Sequence, residues 1–151
     1  MTVERVALTM ALREFSSVKV GDELPPKTIN LTRADLVNYA GVSGDLNPIH
    51  WDDEIAKQVG LDTAIAHGML TMGLGGSYVT EWVGDPGAVV EYNVRFTAIV
   101  PVPNDGVGAD IEFSGRIKSV DEEAKMATIA LTATHNGKKI FGRAVAVTKL
   151  A

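Results

Sequence analysis

The second half of the chain constrains the fold most. From Val89 the hydrophobic period becomes two: in VVEYNVRF, Val90, Tyr92, Val94 and Phe96 share one face and Glu91, Asn93 and Arg95 the other, as in a strand with one buried side. PVPNDG then turns the chain and ADIEFSGRIKSV reads as another strand. DEEAK is a turn, and MATIALTATH and KKIFGRAVAVTKL are two strands joined at Asn136-Gly137, a pair suited to the positive φ of a two-residue hairpin turn. The segment long enough to cover such a sheet is Met69 to Trp82, which contains Gly73, Gly75 and Gly76. Each glycine weakens an isolated helix by about 1 kcal/mol relative to alanine. A helix here is predicted only because a sheet or a ligand comes very near its backbone. Helices followed by antiparallel strands give the α+β class, with one long helix against a curved antiparallel sheet. One helix leaves a strand edge uncovered, so pairing with a second chain is expected.

Upstream, FSSVKVGDELPPK is expected to be an extended entry segment with turns at Gly21-Asp22 and Pro25-Pro26. LTRADLVNYAG opens a helix, with Thr32 and Asp35 at capping-box spacing and Leu36, Tyr39 and Ala40 at i, i+3 and i+4, ending near Gly41 to Gly44. WDDEIAKQVG reads as a second short helix with Asp52 or Asp53 at its front. MTVERVALT contains Glu4 and Arg5 and lacks a signal peptide's apolar core. Residues 1–14 are expected to form a partly disordered tail, and 15–151 a single domain without repeats or linkers.

Composition narrows the function classes. The 151 residues hold 14 Lys and Arg against 19 Asp and Glu, a formal charge of -5, with no basic run interleaved with aromatics, which argues against nucleic acid as a partner. Cysteine is absent, so there is no thiol nucleophile or disulfide framework, and a cytoplasmic location is expected. The uncharged stretch Thr63 to Thr80 raises the membrane question, but His67 and four glycines make it read as a buried helix rather than a membrane insertion.

The chemistry-bearing segment is VSGDLNPIH, which packs Ser43, Asp45, Asn47 and His50 around Gly44 and Pro48. One reading is a loop tied down by Asp and Asn side chains and stiffened by proline. The other makes Asp45 and His50 an acid/base pair, since imidazole suits proton transfer near neutral pH. The nucleophile elbow of a serine hydrolase is missing around Ser43. A second segment, AHGM, places His67 and Gly68 at the head of the glycine-rich helix. His67 reads equally as a satisfied buried histidine, whereas the Gly68 N–H suits an oxyanion. Asp45, His50 and His67 together form a weaker metal alternative, without a paired-histidine zinc motif.

The stretch YAGVSGDLNPIHWDDEIA, Tyr39 to Ala56, resembles the hydratase-2 motif of the MaoC-like (R)-specific hydratases and dehydratases, and IAHGM is similar to that family's second segment. The resemblance implies a hot-dog fold from about Phe15 onward and a hydro-lyase acting on a 3-hydroxyacyl thioester. It implies that Asp45 and His50 are catalytic: His50 takes the C2 proton, and Asp45 orients or protonates the departing hydroxyl. Gly68 then binds the thioester oxygen, with Ser43, Asn47 and His67 supporting the loop or positioning substrate. No metal or other cofactor is implied. The implied partners are an acyl carrier protein bearing the thioester and a second hot-dog subunit, A-type or C-type, with a homodimer when the chain is alone. Because carrier and chain are both acidic, docking would need a local basic patch.

Overall fold

The computed structural model describes residues 11–151. Most of the expected tail, residues 1–10, lies outside the described residues. Arg13 is anchored: its N–H donates to the Val83 carbonyl (2.8 Å), its Nε to the Trp82 carbonyl (2.9 Å), and its carbonyl accepts from Ala151 N–H (2.9 Å).

After a 3-10 turn at Phe15–Ser17 come β1 (Glu23–Leu31), α1 (Arg33–Ser43), a 3-10 turn (Pro48–His50), α2 (Asp53–Gln58) and α3 (Gly68–Val83). The strands β2 (Val89–Phe96), β3 (Ala109–Asp121), β4 (Met126–His135), β5 (Lys138–Lys139) and β6 (Phe141–Lys149) follow. The sheet is antiparallel in the order β1-β3-β4-β6-β2, with β5 paired to β4. A long helix held by a curved antiparallel sheet is the hot-dog arrangement that the resemblance implied.

Local signals account for the element ends. Asp35 Oδ2 accepts from both Thr32 N–H (2.7 Å) and Thr32 Oγ1 (2.8 Å), closing the head of α1. Asp52 caps α2, its Oδ1 accepting from Glu54 and Ile55 N–H, which frees Asp53 for another role. Asn136 (φ 49°) and Gly137 (φ 73°) form the predicted β4–β5 turn. Two expectations fail locally. Pro25 and Pro26 sit inside β1, at the register break between Leu24 and Lys27, instead of marking a turn. β1 is an edge strand, where proline's missing donor is tolerated, and the Pro25 carbonyl accepts from Tyr78 Oη (2.9 Å). In β2 the register slips between Val89 and Glu91, so Val90 is exposed instead of sharing the inner face with Tyr92.

The inward face of α3 presents Thr71, Gly75, Tyr78, Val79 and Val83, the spacing of a buried helical stripe. A Cβ built on Gly75 would lie 2.5 Å from Tyr92 Oη and 3.4 Å from the rings of Phe113 and Phe141, and one on Gly76 would lie 3.3 Å from the Tyr92 ring. Tyr92 Oη donates to the Met72 carbonyl (2.7 Å), and burial pushes its hydroxyl up to about 12, so it remains a donor. Gly73 departs from expectation: it faces outward, with nothing within 4 Å of its Cβ position. Gly75→Leu is therefore expected to destabilise the chain by at least about 1–3 kcal/mol through overpacking. Gly73→Leu should leave stability unchanged or raise it by up to about 1 kcal/mol. Equal losses at both positions in thermal melts would contradict this packing.

Candidate active site

The loop after α1 is tied down by its own polar groups. Gly44 ends the helix in the left-handed region at φ 78°. Ser43 Oγ accepts from Asp45 N–H (3.2 Å), Asp45 Oδ1 from Asn47 N–H (3.3 Å) and Asn47 Oδ1 from Ile49 N–H (3.2 Å). Pro48 then starts the turn that carries His50, and Trp51 Nε1 donates to the Leu46 carbonyl (3.2 Å). The loop-tying reading holds, and the same Asx-type bonds keep Asp45 and His50 on one short, stiff segment.

His50 is buried, with Nδ1 2.8 Å from the Ile65 carbonyl. A carbonyl can only accept, so Nδ1 carries the proton and Nε2 is the basic nitrogen. Nε2 lies 3.8 Å from Asp45 Oδ2, whose side chain is 52% exposed. That separation is too long for a hydrogen bond; His50 is enclosed while the Asp45 carboxylate is open to solvent.

His67 lies beneath both. It is 1% exposed and stacks on His50 with centroids 3.8 Å apart, while the Tyr39 ring meets it in a T-shaped arrangement at 4.8 Å. Its Nε2 lies 3.2 Å from the Asp45 carbonyl and so carries the proton of the neutral ring. Nδ1 is buried without a partner among the described residues. Burial lowers the His67 pKa below 6.5; the Asp45 carbonyl opposes this and the neighbouring His50 reinforces it. Unfolding therefore takes up a proton as pH falls below about 6.5, so stability present above that pH is lost on acidification. The melting temperature should fall between about pH 7.5 and pH 5.5, and fall less in His67→Gln. Equal falls in both proteins would contradict a neutral buried His67.

The donor atoms of Asp45, His50 and His67 lie within 4.8 Å of one another, but the rings do not suit a metal. Imidazoles stacked at 3.8 Å with 22° between their planes cannot both place a ligated ion in the ring plane. His67 Nε2 is in addition committed to the Asp45 carbonyl. His135 lies apart, with Nδ1 2.8 Å from the Asp110 carbonyl.

Gly68 is the first residue of α3. Leu70 and Thr71 N–H both donate to the His67 carbonyl (3.1 and 3.2 Å) and no side chain caps this end. The Gly68 and Met69 N–H groups thus stand at the positive head of the helix without an intrahelical acceptor. The Phe96 ring lies against Gly68, and an added Cβ would be 3.3 Å from its Cζ.

Sequence reasoning missed a half-buried network centred on Asp53. Asp53 Oδ1 accepts from Arg33 Nη2 (2.7 Å), Thr63 Oγ1 (2.7 Å) and Ala64 N–H (2.8 Å). The Arg33 guanidinium, with the Ala64 N–H and Thr63 hydroxyl, holds the Asp53 carboxyl well below the usual carboxylate range. One signal was present: an arginine directly after the cap puts positive charge at the helix's positive end, which is favourable only if a carboxylate elsewhere answers it.

Residues 16–142 match the MaoC like domain. The chain belongs to the MaoC-like family. It is 32% identical over 134 residues to an (R)-specific enoyl-CoA hydratase of Rhodospirillum rubrum, covering 87% of this chain and 88% of that enzyme. It is 39% identical over 83 residues to the 3-hydroxyacyl-thioester dehydratase X of Mycobacterium tuberculosis, covering 54% of this chain and 29% of that one. A solved MaoC-like dehydratase superposes with a TM-score of 0.90 at 53% identity over 96% of this chain, which spans only 44% of that protein. Hydratases and dehydratases of this family are hydro-lyases, and the MaoC-like chain is an enzyme of that class.

Proposed function

We propose that this MaoC-like chain dehydrates a (3R)-hydroxyacyl thioester of acyl carrier protein to the trans-2-enoyl thioester, in type II fatty acid elongation serving mycolic acid synthesis in the cytoplasm. The observation that carries the reaction type is the convergence of His50 Nε2 and Asp45 Oδ2, 3.8 Å apart, close to the open head of α3. With the thioester oxygen on the Gly68 N–H, the C2 proton is acidified because the developing enolate is stabilised. His50 Nε2 takes that proton, the C2–H electron pair becomes the C2=C3 bond, and the C3–O bond breaks. The proton and the departing hydroxyl leave as water, oriented by Asp45, and the hydration direction reverses each step. Ser43, Asn47 and His67 hold the loop in place. The residues use no metal or redox group in this scheme.

The carrier reading rests on the resemblance of Tyr39 to Ala56. A second reading, hydration of an (R)-specific enoyl-CoA, is favoured by the R. rubrum relative that matches across 87% of this chain. For assembly, β2 is an edge of the sheet, with Val90 and Phe96 exposed along it. A second hot-dog subunit, A-type or C-type, would cover that edge and extend the acyl channel, with a homodimer forming when the chain is alone. The purified chain, alone and with candidate partners, should be assayed over a series of acyl lengths on both carrier protein and coenzyme A. Preference for carrier protein, and a partner that raises long-chain turnover more than short-chain turnover, are expected. A clear coenzyme A preference would select the second reading, and a fully active monomer with the same length profile would overturn the assembly.

A further inference from the structure

We propose that Arg33 and Asp53 are positioning residues, which set the tautomer and orientation of His50 through the segment Thr63 to Ala66; the kinetic part of this proposal rests on the function proposed above. The pair joins four stretches of chain. Besides Asp53, the guanidinium reaches the Val102 carbonyl (2.9 Å), Thr63 Oγ1 (3.1 Å) and the Trp51 carbonyl (3.2 Å). The Arg33 side chain is 11% exposed, and its Nε is buried without a partner among the described residues. Asp53 is 35% exposed, so it is the enclosed guanidinium, with its several acceptors, that distinguishes this from a surface ion pair held only by charge. The planar fork matches several fixed acceptors at once, as an ammonium cannot.

The braced segment is the one that presents His50. Ala64, whose N–H is held by Asp53, accepts from Val102 N–H (2.9 Å), and Ala66 N–H donates to the Val100 carbonyl (2.8 Å). Between them Ile65 donates its N–H to the Ile49 carbonyl (3.1 Å) and accepts from His50 Nδ1 (2.8 Å). The residue that fixes the His50 tautomer is therefore pinned on its Ala64 side by groups that Arg33 and Asp53 hold, and on its Ala66 side by the Val100 carbonyl. The same run leads directly into His67 and Gly68. A hydrogen bond to the distal ring nitrogen decides which nitrogen is basic, so a shift of Ile65 would change the chemistry of His50 without touching substrate.

Nitrogen-15 NMR of the imidazole rings tests this on the full chain, which has only three histidines; His67→Gln and His135→Gln assign the signals. His50 should appear as the Nδ1–H tautomer in the parent and as a mixture in both Arg33→Lys, which keeps the charge but not the fork, and Asp53→Asn, which keeps the shape but not the charge. In the same variants kcat should fall by about tenfold or more with KM within about threefold, the signature of misplacement at the reacting centre. Asp53→Asn carries the test alone if Arg33→Lys loses its melting transition. Unchanged His50 ring signals in a folded variant would overturn the proposal. A tautomer shift in a chain whose parent shows no hydro-lyase activity would uphold the brace and sink the functional reading instead.

Discussion

Asp45→Asn and His50→Ala are each expected to lower turnover of a 3-hydroxyacyl thioester by about 10²-fold or more, because general acid/base groups typically contribute 10² to 10⁴. The fold should survive both changes. Asp45 is half exposed and its loop is also held by Ser43, Asn47 and Trp51, and asparagine keeps an oxygen for the Asn47 N–H. His50→Ala removes a buried ring stacked on His67 and will cost stability, so turnover must be compared in preparations with intact melting transitions. Asp45→Asn is the cleaner of the two. Activity within threefold of the parent in either folded variant would remove that residue from the proposed chemistry.

The second large effect is predicted at Gly68, where one atom can be deleted with little else disturbed. Gly68 is the first residue of α3, the helical position most tolerant of proline, since its N–H bonds nothing within the helix. His67 before it is already extended, at φ -59° and ψ 132°, as a residue preceding proline prefers. Gly68→Pro thus removes the proposed oxyanion donor while keeping the helix, and kcat should drop by about 10² to 10³. Gly68→Ala is the control: its Cβ meets Phe96 at 3.3 Å but it keeps the N–H, so it should lose far less. Similar losses in both variants would mean that crowding against Phe96, and not the N–H, matters at this position.

Where the sequence was legible, the physics was local. The capping pair Thr32 and Asp35, the Asn136-Gly137 turn and the strand from Val89 each depend on neighbours within a few residues, and the structure realises them, with Val90 and Phe96 departing from the expected face at the register slips of β2. Asp45 and His50 were legible as a pair because Asn47 and Pro48 stiffen the five-residue interval between them. What escaped depended on distant chain. The glycine run gave no sign that Gly75 meets Tyr92 while Gly73 meets nothing, since that follows from which face of α3 turns to the sheet. Pro25-Pro26 looked like a turn because nothing local reveals that β1 is an edge strand with a register break. The stacking of His67 on His50, and the pairing of Arg33 with Asp53, join residues 17 and 20 positions apart in sequence (67 − 50 and 53 − 33). Only the tertiary fold brings them together.

The central claim is that Asp45, His50 and the Gly68 N–H together move water on and off C2 and C3 of an acyl thioester. It is tested most directly by giving the purified enzyme, with its partner subunit if one is required, matched (3R)- and (3S)-3-hydroxyacyl thioesters and following the products. The account predicts trans-2-enoyl thioester from the (3R) substrate alone, with the thioester bond intact and the reaction abolished by Asp45→Asn. Release of free thiol, or enoyl formation that persists undiminished in Asp45→Asn, would contradict it.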